Sequence, residues 1–372
     1  MVSKSTYTYW ATLSNQTDGV VSLAFSPSGR FLAATGYAGV SIWIVAEQRA
    51  VPVPTPRTEF RDKHLYTRST WLLFEESQME VLLLGSKRGD VELWNWSDLQ
   101  QSFVLWKRRK QTGTPSEVLA IDVYQQKVPI GGHALVVVST ADHDLTLFAV
   151  TAHAEILKKF SFKLDLNCRP QSVKFDSLTQ TIVVFSRTGG MLVRYDCESG
   201  AKAGVKKDAP QSMASVALHP HGDRFVAYTG SSYEVVPLAN NLPIQSIPCA
   251  NANVLYPMYT AFGEDGSVLV AGTDNGHAKI YSMDTLQEIQ RLNYPKGGLV
   301  QYVETATIDQ YHVVAFAGST LKRAADVILY RKQVDRGPDE TNSPFFRIGR
   351  GHLLVAGLYW IALSSVLLYQ YL

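Results

Sequence analysis

At 372 residues the chain exceeds the usual single-domain range, so it holds either two domains or one large repetitive one. Its 35 basic and 33 acidic side chains leave a net charge of +2, which excludes a global pull toward nucleic acid or acidic substrates. Three cysteines, Cys168, Cys197 and Cys249, lie far apart with no CxxC pair, against both a thiolate zinc site and a disulfide-stapled secreted fold.

The opening MVSKSTYTYWATLS has neither the apolar core nor the cleavage site of a signal peptide, so the body of the chain is expected in the cytosol. Asn15-Gln16-Thr17 and Asn95-Trp96-Ser97 fit the glycosylation pattern, which is common by chance and matters only at a lumenal address.

One phrase then recurs. VVSLAFSPSGRFLAATGYAGVSIWIV runs an alternating strand into a Pro-Ser-Gly turn, then a second strand, a turn at Ala38-Gly39 and a strand carrying Trp43. RSTWLLFEESQMEVLLLGSKRGDVELWNW repeats that order, with Phe74 in the place of Phe25 and Trp94 in that of Trp43. Five more copies follow, with Phe148, Tyr195, Val236, Tyr281 and Tyr330 at the third strand. Period-two alternation bounded by Gly, Asp, Asn and Pro means strands and tight turns. Seven copies about forty to fifty residues apart predict an all-β, seven-bladed β-propeller, each copy one four-stranded blade. The last copy ends near Lys332 without a fourth strand, and residues 6–14 form a strand without a blade. The N-terminal strand is therefore expected to complete the last blade and close the ring.

The order V-x-x-[LV]-A-F-S-P-S-G-R-F-L-A, a Gly-containing turn and a strand with a bulky aromatic resembles the WD40 repeat over roughly residues 5–334. Phe262-Gly263-Glu264-Asp265-Gly266 carries the likeness into the sixth copy. The Trp-Asp pair of that family is absent: its positions read Trp43-Ile44, Trp94-Asn95, Phe148-Ala149, Tyr195-Asp196, Tyr281-Ser282 and Tyr330-Arg331. The Gly-His pair that precedes it in that family's repeat is missing from its place too. The resemblance implies a platform for protein partners, used through its end surfaces, channel mouth and loops.

Candidate chemistry is sparse. His219-Pro220-His221 stands where the first copy has Ser26-Pro27-Ser28, so a turn explains it, and no further ligand stands at a metal-site spacing. No nucleophile elbow, Walker loop, H-E-x-x-H or dinucleotide fingerprint occurs. The expectation is no enzyme, no cofactor, no metal, no nucleic acid and no small-molecule substrate. A platform is expected to line its channel with small and apolar residues, whereas an enzyme would point several acids or histidines into it. The densest charge, Trp106 with Lys107, Arg108, Arg109 and Lys110, reads as a loop joining the second and third blades. It suits anionic lipid headgroups or an acidic partner.

Residues 335–350 are polar, with Gly337, Pro338 and Pro344, and read as a linker after a propeller spanning 1–334. From Leu353 to Leu372 no residue is charged. As a helix that run spans about 30 Å, the thickness of a bilayer core. Leu353, Leu354, Leu358, Trp360, Ile361, Leu363, Leu367, Leu368 and Tyr369 would face lipid, with Arg347 and Arg350 on the cytosolic side. Residues 351–372 are thus expected to be a transmembrane tail anchor, with the propeller cytosolic and the endoplasmic reticulum the leading address. Propeller plus anchor resembles the Sec12 family of exchange factors for the small GTPase of coat assembly. That family engages its GTPase through a glycine-rich, lysine-containing loop early in the propeller. Here the region reads AATGYAGVSIW, without lysine, so none of those residues carries over.

Overall fold

The computed structural model describes residues 6–54, 65–110, 114–238, 242–249, 257–320 and 322–334. These form seven antiparallel sheets of four strands, with a short fifth strand added to one of them. In blades one to six the four antiparallel strands run outward from a central channel in sequence order, and the blade is a meander of tight turns. Innermost strands are Val20–Phe25, Tyr66–Phe74, Val118–Val123, Pro170–Asp176, Ser215–Leu218, Thr260–Gly263 and Val300–Ile308, for blades one to seven. The fifth strand of blade two is Lys127–Val128, which leaves blade three to pair in parallel with Leu73 and Phe74.

Blade seven is made from both ends of the propeller sequence. Thr8–Gln16 pairs antiparallel with Ala325–Gln333, Leu13 standing opposite Val327 and Thr8 opposite Arg331. The N-terminal strand therefore closes the ring as its sequence indicates. Pairing it removes the bare edge that Ala325–Gln333 would otherwise present.

The buried apolar residues fall into seven clusters, one at each contact between neighbouring blades. A single sheet has two apolar faces and cannot bury either alone, so each blade depends on both neighbours. The third-strand residues Trp43, Trp94, Phe148, Tyr195, Val236, Tyr281 and Tyr330 each pack toward the preceding blade. Trp43 is 1% exposed and its indole donates to the Ser14 carbonyl at 3.0 Å, fixing blade one to the closing strand. Val236 is too small for this place. The rings of Phe185 and Phe225, 4.9 Å apart, fill the gap between blades four and five instead.

Blade two departs from the expected alignment of its inner aromatic. Trp43 faces Leu32, which faces Phe25; in blade two Trp94 faces Leu82, which faces Trp71. Trp71, not Phe74, is therefore the counterpart of Phe25, and its indole donates across the interface to Ala24 at 2.9 Å. Phe74 belongs to an extension of the innermost strand, made possible by the added pairing with Lys127–Val128.

Residues 335–372, with Arg347, Arg350 and the whole apolar run from Leu353, lie outside the described residues. Among the described residues no helix is long and apolar enough to cross a membrane.

Closure is testable at Leu13, 1% exposed in the closing strand. Leu13→Ala is expected to cost about 2–5 kcal/mol in equilibrium unfolding by denaturant. Thr12→Ala, on the exposed face of the same strand, is expected to shift stability by less than about 1 kcal/mol.

Candidate functional site at the central channel

The strand registers relate each third-strand residue to an equivalent set of positions on the seven innermost strands. The first layer holds Ser22, Ala120, Ser172 and Ser215 in blades one, three, four and five. Blades two, six and seven place Arg68, Tyr259 and Tyr302 there. The second layer lies two residues further along each strand. It is small in blades one, two, five and six, at Ala24, Thr70, Ala217 and Ala261, whereas blades three, four and seven supply Asp122, Lys174 and Glu304. In five blades a register shift directly precedes the first layer, as between Tyr66 and Arg68 or Val300 and Tyr302. Such a bulge turns the next side chain out of the regular alternation.

Blades two and six are not neighbours, so a contact between them crosses the channel. Arg68 makes it: Nη2 donates to the Tyr259 hydroxyl at 2.9 Å, while Nε donates to the Leu119 carbonyl and Nη1 to the Thr67 carbonyl, each at 2.6 Å. Tyr259 stacks on Tyr302 of blade seven with ring centroids 4.5 Å apart. One guanidinium thus ties blades two, three and six, using the planar fork that a lysine lacks.

In the second layer Lys174 Nζ lies 3.0 Å from Asp122 Oδ1, and Asp122 Oδ2 accepts from the Phe175 amide at 2.8 Å. The Asp122 carboxylate holds the Lys174 ammonium above its usual value against the effect of burial. Glu304 faces the same lysine from blade seven. Burial pushes its carboxyl up to about 7, with Lys174 and the Thr305 amide opposing the rise. Burial likewise raises the Tyr302 phenol well above its ordinary range. The desolvation comes from the surrounding ring of seven sheets, although water reaches part of each side chain from the channel.

This channel differs from the small and apolar one expected of a platform. Four positions in each layer are small, as expected, but three in each carry large polar or charged groups. Those groups are engaged with one another and with backbone carbonyls, an arrangement that braces the ring across its axis.

His219 occupies the turn predicted for it, its amide bonded to the Arg224 carbonyl and its Nδ1 3.0 Å from Asp223 Oδ1. Its ring packs edge-on against Phe262 of blade six, at 4.9 Å between centroids. Gly266, at φ +91°, leaves room for it: a Cβ there would meet Nε2 at 2.3 Å. Burial keeps the imidazole below its usual pKa, as suits a packed ring between two blades. Burial also raises each free thiol, Cys168, Cys197 and Cys249, to about 11.

The basic cluster lies elsewhere than predicted. Lys107, Arg108 and Arg109 belong to the outermost strand of blade two, Ser102–Arg109, and Lys110 directly follows it. The segment is not a loop because Arg108 and Lys107 pair with Glu92 and Leu93 in the ladder. Arg108 reaches in to the 5%-exposed Glu92 at 2.5 Å, where Tyr66 and Trp94 also donate to the carboxylate at 2.7 and 3.0 Å. Arg109 stacks its guanidinium 4.4 Å above the Phe148 ring of blade three. Both arginines are thus structural, and Lys107 and Lys110 point to solvent.

The family described as WD domain, G-beta repeat has a model that matches residues 8–43. The fold is a WD40-like propeller. The match begins in the outermost strand of blade seven and ends in the third strand of blade one, so the recognisable unit straddles the seam of the ring. No curated protein matches the chain.

The raised Glu304 gives a pH signature. Its neutral form is favoured in the folded state, so its contribution is intact below the ordinary 4.5 and fades as pH climbs through about 7. Glu304→Gln is therefore expected to be no more stable than the parent near pH 4 and more stable above about pH 7.5. Denaturation midpoints measured across that range check it.

Proposed function

We propose that this WD40-like propeller is a non-enzymatic interaction platform held on the cytosolic face of an internal membrane, the endoplasmic reticulum being the leading address. The observation that carries the platform reading lies at the end of the ring formed by the first and third turns of each blade. Leu99, Ile130, Leu178 and Leu242 are 100, 74, 70 and 60% exposed there, on four successive blades, two to five. Single exposed aliphatics are ordinary, but a set gathered on one end of consecutive blades is what a partner surface requires. Between blades four and five the surface deepens into an open groove of about 570 Å³, where Leu178, Pro237, Leu242 and Pro243 stand beside Arg194 and Arg224. An apolar floor with charged margins suits a protein segment.

The tether rests on residues 353–372, an uncharged run of bilayer length preceded by Arg347 and Arg350. A Sec12-like exchange factor is the second reading, supported by architecture. At the place of the GTPase-engaging loop this chain turns in two residues, Tyr37 and Ala38, between the paired Gly36 and Gly39. That hairpin projects no loop, and the platform reading is preferred.

Carbonate extraction of a tagged chain is expected to leave the full-length protein in the membrane pellet and to release one lacking residues 351–372. Extraction of both would remove the anchor. Leu178→Asp with Leu242→Asp is expected to abolish partner capture by proximity labelling while leaving the unfolding midpoint unchanged. Unaltered capture would move the partner surface elsewhere.

A further inference from the structure

The outermost strands of blades two, three and four form one basic rim. Segments 102–110, 156–163 and 202–207 carry ten lysines and arginines and no aspartate or glutamate. The outermost strands of the other four blades carry two arginines, Arg49 and Arg291, and one glutamate, Glu288. Each strand of the rim also exposes one aliphatic side chain: Leu105, Leu157 and Val205 are 44, 53 and 42% accessible.

Part of the charge is met by partners within the chain, at buried Glu92 and in ion pairs at the surface. Arg108 neutralises Glu92, Lys163 pairs with Asp142 and Asp144, Lys202 with Asp165 and Lys206 with Asp208, while Arg109 covers Phe148. Lys107, Lys110, Lys158, Lys159 and Lys207 make no ion pair among the described residues. Asp196 and Glu198 share a groove with Lys159 at the turn end of the rim and mark its acidic limit.

We propose that this rim docks on an anionic membrane surface, its five uncommitted lysines among the headgroups and Leu105, Leu157 and Val205 entering the interface. Three features favour a bilayer. The uncommitted cations are all lysines, compact hydrated charges on flexible stems, which suit a diffuse layer of anions better than one bidentate site. Exposed aliphatics interleaved with lysines are the composition of interfacial segments that lie on lipid. The arginine and aromatic anchors that usually dominate protein interfaces are consumed internally here, Arg108 on Glu92 and Trp106 against Phe74. The inference deepens the membrane part of the proposed function, yet the rim carries its charge whether or not residues 353–372 insert.

The test uses the full chain mixed with vesicles of phosphatidylcholine alone and of phosphatidylcholine with about one-third phosphatidylserine. Lysine acetylation rates are then read by mass spectrometry. Lys107, Lys158, Lys159 and Lys207 are expected to react about fivefold or more slowly on the anionic vesicles, while Lys296, paired with Asp326 on the far side of the ring, is unchanged. The protection is expected to vanish at about 1 M salt. The K107A/K158A/K159A/K207A variant, altered only at exposed or half-buried edge positions, is expected to lose the protection of Lys110. Equal rates on both vesicles would overturn the proposal. So would protection by soluble polyglutamate exceeding that by anionic vesicles, which assigns the rim to an acidic protein. Failure of the apolar anchor reads differently: the chain would not float with neutral vesicles, whatever the rim does on anionic ones.

Discussion

The pairing of Thr8–Gln16 with Ala325–Gln333 is the constraint on which the other parts of the propeller depend. It joins residues more than three hundred positions apart, as in the Thr8 hydroxyl bonded to the Arg331 carbonyl. An open arc of seven blades would leave two blade faces uncovered and one inner strand sequence without its outer partner. Closing the arc costs loop entropy that grows only slowly with length, while the contact it creates buries Leu13, Trp43, Val327 and Leu329 in one cluster. The same topology makes folding wait for its most distant contact, which places this chain among slow, high-contact-order folds.

The contacts that cross the channel exist only because the ring closes. Arg68 and Tyr259 belong to blades on opposite sides of the axis, as do Lys174 and Glu304. Asp122 and Lys174 come from the neighbouring blades three and four, whereas Tyr259 and Glu304 reach Arg68 and Lys174 from across the axis. A lysine between Asp122 and Glu304 is stable there, since removal of either partner's charge leaves the other. Glu304, the less well partnered of the two acids, takes the consequence as a raised pKa.

What was legible in the sequence follows from this geometry. The seven repeats and the closing strand are visible because strand alternation and third-strand aromatics serve the blade interfaces, which recur at a fixed spacing. Trp71 escapes the repeat pattern because the innermost strand of blade two runs three residues past it to Phe74, which mimics the aromatic that ends the first strand of the first copy. The basic cluster read as a loop because the outermost strand of a blade has solvent on its free edge and loses the apolar alternation that marks a strand. The channel groups were invisible for another reason. Arg68, Asp122, Lys174 and Glu304 lie on four different strands with no shared motif, and only the register and the ring place them together.

A near-zero net charge is compatible with such different surfaces because strand position within the blade separates them. Innermost strands write on the channel, outermost strands on the rim, and turns on the two ends. Substitutions at one radius need not disturb the others, provided the middle strands keep packing blade on blade. In this chain the channel balances its charges internally, the rim of blades two to four accumulates lysines, and the turn end of blades two to five exposes aliphatics. The rim and the turn end meet along blades two, three and four. A propeller whose lysines rest on a bilayer would thus hold its apolar turn end beside the membrane plane, open to a partner on the same surface.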